Sequence, residues 1–98
     1  MQGPHFDTHM EDDVCVVAPS GELDMACVDR FRAVLAPLHG RVIVDLSGVT
    51  FLDSSTLGVL VAESKRLRAV GGDLRIRSPR DAQRQVLEIT GLGDWIVD

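Results

Sequence analysis

The sequence predicts an α/β fold, a mixed sheet of four to five strands packed with three to four helices. Three observations predict it. Two short apolar runs, residues 14–18 (VCVVA) and 42–46 (VIVDL), show little or no alternation and read as strands covered on both faces. A segment with apolar residues at helical spacing follows each of them. Strand and helix therefore alternate along the chain, which calls for βαβ units with right-handed crossovers.

A chain of 98 residues fills one compact domain and is too short for two, so a single domain over 1–98 is expected. Residues 1–5 are expected to fray ahead of a short edge strand at about 6–10. Beyond the 14–18 run, Pro19-Ser20-Gly21 breaks the strand. Asp24 stands where a helix N-cap belongs. Cys27, Phe31, Val34, Leu35 and Leu38 then make one apolar stripe, and Pro37 and Gly40 end that helix. After the 42–46 strand, residues 47–53 read as a loop. A helix over 54–70 puts Leu57, Leu60, Val61 and Leu67 on one face. Lys65, Arg66 and Arg68 sit near its C-terminus, where positive charge complements the dipole, and Gly71-Gly72 closes it.

Residues 73–77 alternate, Leu74 and Ile76 one way and Arg75 and Arg77 the other, as in a strand with one wet face. Ser78 as cap and Pro79 in the first turn start a last helix, which runs to about Thr90 with Val86 and Leu87 inward and Gly91 after it. Residues 95–97 add a short strand or simply pack against the core.

Charge narrows the function classes. The net charge is −5, and residues 1–29 hold seven carboxylates with no Lys or Arg. Such a surface repels nucleic acid and suits a protein partner with a basic docking face. No run approaches the roughly 18 apolar residues of a membrane span. The opening MQGPHFDTHMEDD has neither a basic start nor an apolar signal region, so a cytoplasmic protein is expected. Cys15 and Cys27 fit no metal spacing and no CxxC pattern; they are expected to be unbridged, small and buried. No metal or cofactor is called for.

The informative stretch is Asp53-Ser54-Ser55-Thr56, three hydroxyls and a carboxylate opening a helix just after apolar Phe51 and Leu52. Any one of the four explains itself as an N-cap, but a single cap does not require four such residues in a row. A hydrolase using Ser54 with His5, His9 or His39 lacks the G-x-S-x-G elbow, so no catalytic residue is assigned. Gly58 in mid-helix is unfavourable by roughly 1 kcal/mol relative to Ala. It is explained either by close packing inside the protein or by a partner approaching an outward face of Gly58, Val59 and Ala62.

Asp53-Ser54-Ser55-Thr56-Leu57-Gly58 resembles the D-S-[S/T]-G-L-G signature of anti-sigma-factor antagonists of the STAS family. Gly21-Glu22-Leu23-Asp24, Asp45-Leu46-Ser47-Gly48-Val49 and Gly71-Gly72-Asp73-Leu74 resemble the family's G-E-L-D, D-L-S-x-V and G-G-x-L, in family order and spacing across essentially the whole chain. The resemblance implies a STAS-like fold and a partner-switching phosphoprotein that regulates transcription in stress response or sporulation. The unphosphorylated antagonist binds an anti-sigma factor that is also a serine kinase, and sigma factor is freed. Phosphorylation breaks the complex, and a phosphoserine phosphatase resets it. The phosphoacceptor maps onto Ser54. Asp24, Asp53, Ser55, Thr56, Gly58, Val59 and Ala62 make up its neighbourhood and partner-binding face. Thr56 departs from the family, where Gly is usual, and offers a competing hydroxyl. The alternative is a non-phosphorylated STAS subunit of a lipid-transport or other multiprotein complex, against which the intact Asp-Ser-Ser argues.

Overall fold

The computed structural model describes residues 4–97. Its elements run β1 (His5–Glu11), β2 (Val14–Leu23), α1 (Val28–Leu35), β3 (Arg41–Asp45), β4 (Gly48–Leu52), α2 (Ser54–Ala69), β5 (Asp73–Arg77) and α3 (Asp81–Ile89). Single 3-10 turns at Met25–Cys27 and Gly93–Trp95 complete the set. Five strands form one sheet in the order β1-β2-β3-β5, with β4 also on β2. Only β1–β2 is antiparallel. The mixed α/β architecture expected from the sequence is the one observed. Of the residues expected to fray, 1–3 lie outside the described residues. Pro4 O accepts a hydrogen bond from Arg30, and His5 opens β1.

β2 organises the sheet. One edge pairs with β1 along its length, and the other carries two parallel strands in succession, β3 against Val14–Val17 and β4 against Ser20–Leu23. Two expectations fail here. Pro19-Ser20-Gly21 does not break the strand, and residues 47–53 are not all loop, because Gly48–Leu52 is β4. The register gives the reason: Ala18 and Pro19 fall between the β3 and β4 pairings, so the missing proline N–H is not required on that edge. Gly21, at φ +93°, absorbs the bulge that follows. A third expectation fails at Ser78, which does not cap α3. Its φ is +55°, and Arg80 takes the cap position without a side-chain bond. The Arg80 guanidinium donates instead to Ser47 O.

The helices cover one face of the sheet. Val17, Val42, Val44, Leu74 and Ile76 meet Phe31, Leu35, Leu57, Leu60, Leu67 and Leu87 in a continuous core. Each fully buried Leu or Phe contributes about 1.5–3 kcal/mol relative to exposure. Arg66 ties two helices together: its Nη2 and Nη1 donate to Leu35 O and Leu38 O at the end of α1, while its Nε pairs with Glu63. Of the stripe read from the sequence, Cys27, Phe31 and Leu35 are buried and Val34 and Leu38 half-buried. Both cysteines are free as expected, but only Cys27 is buried; Cys15 is half-buried. Burial pushes the Cys27 thiol pKa up, away from reactivity.

None of the described helices packs on the other face of the sheet, so the two-sided helical cover expected for the apolar runs holds on one side only. Val16 lies on that open face beside its register neighbours His9 and Ile43, is fully buried, and stands outside the core cluster. Ion pairs dominate there. Arg77 on β5 donates to both carboxylate oxygens of Glu11 on β1, at 2.9 and 3.2 Å, and to Asp45 on β3 at 3.0 Å. Arg77 first and His9 second hold the Glu11 carboxyl down at about 2. A carboxylate depressed in the folded state stabilises it above the unfolded pKa and loses that contribution as pH falls from 4.5 towards 2. The melting temperatures of wild type and Glu11→Gln are therefore expected to differ at neutral pH and to converge near pH 2. A difference that persists unchanged to that pH would disprove the ionic account.

Candidate functional site

β2 and β4 run parallel and end together, with Leu23 paired to Leu52. Each strand end is followed at once by an aspartate in extended conformation that caps a helical turn. Asp24 Oδ1 accepts the Ala26 N–H at 3.0 Å, and Asp53 Oδ1 accepts the Thr56 N–H at 3.1 Å. The register sets the two caps side by side, and the Asp53 N–H donates to Leu23 O at 3.2 Å. The expected capping role of both residues is observed, although Asp24 caps a 3-10 turn and α1 begins only at Val28.

The three hydroxyls after Asp53 are not equivalent. Thr56 is fully buried, and its Oγ1 donates to Leu23 O at 2.8 Å, with Asp53 Oδ1 further away at 3.3 Å. One hydroxyl has one proton, so the shorter bond to Leu23 claims it. Ser55 is half-buried and donates to Asp53 Oδ1 at 2.6 Å. Ser54, the first residue of α2, is exposed, and its hydroxyl makes no hydrogen bond among the described residues. The Ser55 hydroxyl above all, helped by the Thr56 and Met25 N–H groups against burial, holds the Asp53 carboxyl below the usual carboxylate range. Asp53 is therefore charged at neutral pH and committed to local structure.

Gly58 and Ala62 lie one and two turns beyond Ser54 on the same helix face, and both are exposed. A Cβ at Gly58 would meet nothing within 4 Å, so close packing inside the protein does not explain this glycine. Val59 does not join them. It is 2% exposed and belongs to the core, because it lies about 100° around the helix from Gly58. Thr56 does not offer a competing surface hydroxyl, being buried and bonded.

Of the two apolar residues read just before Asp53, Phe51 is exposed and Leu52 is buried; Met25, large, apolar and exposed near the same end of the sheet, is not marked out by the sequence motifs. For Met25 a signal existed: it falls off the Cys27, Phe31, Leu35 stripe immediately after a capping aspartate. The histidines sit elsewhere, His9 against Glu11 and His5 against Asp7 on β1, with His39 exposed between α1 and β3. Among the described residues no group of three or more His, Cys, Asp or Glu side chains is placed to hold a metal ion. No described helix is long and apolar enough to cross a membrane.

Known proteins share this fold. The STAS domain family matches residues 5–97. The anti-sigma F factor antagonist of Lysinibacillus sphaericus is 34% identical over 100 residues, which span 96% of this chain and 86% of that protein. The anti-sigma factor antagonist SpoIIAA in its unphosphorylated form superposes with a TM-score of 0.85 at 28% identity, over 96% of this chain and 87% of that one. The phosphorylated form of the Bacillus cell fate determinant SpoIIAA superposes at 0.77 and 28% identity, over 96% and 90%.

Proposed function

The chain belongs to the STAS domain family, and from that premise we propose that it is an anti-sigma-factor antagonist whose binding to its partner is switched by phosphorylation at Ser54. It is a single STAS domain working as a cytoplasmic binding protein and not as an enzyme. It docks on an anti-sigma factor and frees sigma factor. The anti-sigma factor is also the serine kinase, and a phosphoserine phosphatase restores the binding form. One observation carries the choice of residue: of three adjacent hydroxyls at the start of α2, only that of Ser54 is exposed and uncommitted.

The physics of the position supports a switch that leaves the fold intact. The N-terminus of a 16-residue helix favours an anion. A phosphate there adds about −1.5 to −2 charge beside the ionised Asp53. On a chain of net charge −5, that charge obstructs docking directly. The likeness of this fold to both the unphosphorylated and the phosphorylated SpoIIAA points the same way. A non-phosphorylated subunit of a lipid-transport complex is not favoured, since it leaves the free Ser54 hydroxyl without a role. The direct test incubates the protein with ATP and its anti-sigma kinase: mass spectrometry should find one phosphate, on Ser54, and the complex should dissociate as it appears.

Gly58 supplies a second check. Exposed, helical and with room for a side chain, it should stabilise the fold by about 1 kcal/mol when replaced by Ala. In this reading the glycine persists because the partner comes close, so Gly58→Ala should melt higher and bind more weakly. A variant that melts higher and binds as well as wild type would remove Gly58 from the interface.

A further inference from the structure

Met25 is 76% exposed, yet the backbone that carries it is held firmly. The Cys27 N–H donates to Asp24 O at 3.0 Å, and the Ala26 N–H to the Asp24 carboxylate at 3.0 Å, closing the turn. Two residues before Met25, Leu23 O accepts both the Asp53 N–H and the Thr56 hydroxyl, so the turn is bonded to the start of α2. A flexible apolar side chain is thus displayed from a fixed backbone directly beside the segment that presents Ser54. On one side stand the carboxylates of Asp24 and Asp53. Two residues before Asp53, near the end of β4, the chain exposes a second apolar side chain, Phe51, at 46%. A scattered surface apolar residue needs no explanation, but one displayed from a fixed backbone at the end of two strands, with capping carboxylates beside it, matches the anatomy of an interface centre with a polar rim.

We propose that Met25 is the apolar anchor of the docking surface, entering an apolar pocket of the anti-sigma factor whose rim carries Arg or Lys side chains opposite Asp24 and Asp53. The partner's chemistry follows from complementarity: Asp24 and Asp53 at the ends of β2 and β4, with exposed Glu22 just before them, put carboxylates around this end of the sheet, so the facing rim is basic. The proposal rests on the reading of this chain as an antagonist, and it adds a reason for the switch. A hydrated phosphate on Ser54 keeps water at the mouth of the pocket that Met25 must dehydrate, so anchor and phosphate exclude each other.

The test measures binding of the cognate anti-sigma factor to wild type, Met25→Ala, Met25→Gln and Met25→Leu, with a thermal melt of each. Loss of an anchor typically weakens binding by about 10-fold to 100-fold, mostly through faster dissociation. Ala and Gln should both show this, Leu should stay close to wild type, and all four melts should coincide because the side chain is exposed. Added salt should weaken the wild-type complex, and Asp24→Asn should lessen that dependence. Wild-type binding with Met25→Ala and Met25→Gln within about twofold of it would overturn the anchor alone. Absence of wild-type binding would overturn the antagonist reading beneath it. Losses matched by equal drops in melting temperature would show Met25 to be structural and likewise defeat the proposal.

Discussion

Ser54→Asp is expected to weaken the complex with the anti-sigma factor by roughly 30-fold to several thousand-fold, about 2–5 kcal/mol, the range for an unpaired charge forced into an interface. The same substitution should barely move the melting temperature. Ser54 is the first residue of α2, and its hydroxyl gives up no hydrogen bond when replaced. The helix dipole even favours the new carboxylate by about 0.3–1 kcal/mol. Ser54→Ala should fold, bind like the unphosphorylated wild type and take up no phosphate. Isothermal titration of the three proteins, with mass spectrometry after kinase treatment, checks all of this. Phosphate on Ser54→Ala at wild-type stoichiometry would move the switch elsewhere. Ser55 is the poorer substitute, since its proton is held by Asp53 at 2.6 Å, and Thr56 poorer still, being buried. No phosphate on any of the three would leave an antagonist without this switch.

The largest stability effect is expected at Gly72→Ala. A Cβ at this residue would collide with the Gly40 carbonyl oxygen and lie 3.0 Å from its carbonyl carbon, both backbone atoms that cannot swing aside. The contact cannot open freely, because Gly40 O also accepts the Asp73 N–H that starts β5, and the Gly72 N–H closes α2 on Leu67 O. Overpacking against backbone costs about 3 kcal/mol, the upper end of the usual range. The neighbouring Gly71 is the control. It has φ +85° and open space around it, so Gly71→Ala meets only the left-handed strain, about 1 kcal/mol. Urea unfolding should therefore rank wild type above Gly71→Ala and Gly71→Ala above Gly72→Ala. Equal losses at the two positions would refute the steric account.

What was legible in the sequence is what local chemistry decides. β5 occupies the alternating residues 73–77, and α2 starts after the Asp53 cap and ends one residue short of the expected Val70. What escaped depends on partners far along the chain. Pro19 reads as a breaker until β3 and β4 are seen to leave a gap opposite it. Gly48–Leu52, with a glycine and no alternation, becomes a strand only because the second half of β2 offers it an edge. Thr56 looked like one more surface hydroxyl because its acceptor, Leu23 O, is 33 residues away. Val59 was assigned to the wrong side of α2, whose apolar residues run so far around the helix that the stripe does not mark its edge. At the site, the capping aspartates and the exposed serine were readable, whereas the commitment of the other two hydroxyls was not.

The position of β2 has a consequence for how the chain is made. β1 and β2 meet through the two residues Asp12 and Asp13, so this hairpin closes early, on a scale of about 1–10 μs once both strands are free. The other edge of β2 waits for β3 and β4, which leave the ribosome only after α1, and β3 in turn waits for β5 beyond α2. At about 5–20 residues per second, the nascent chain carries an unpaired, apolar VCVVA edge for a second or more. Such an edge is a template for pairing with another chain. Glu11, Asp12 and Asp13 immediately before it, and Pro19 immediately after it, are gatekeepers of the kind that discourage that pairing. Part of the acidic character of the N-terminal third therefore protects the protein during its own synthesis, before any partner is met.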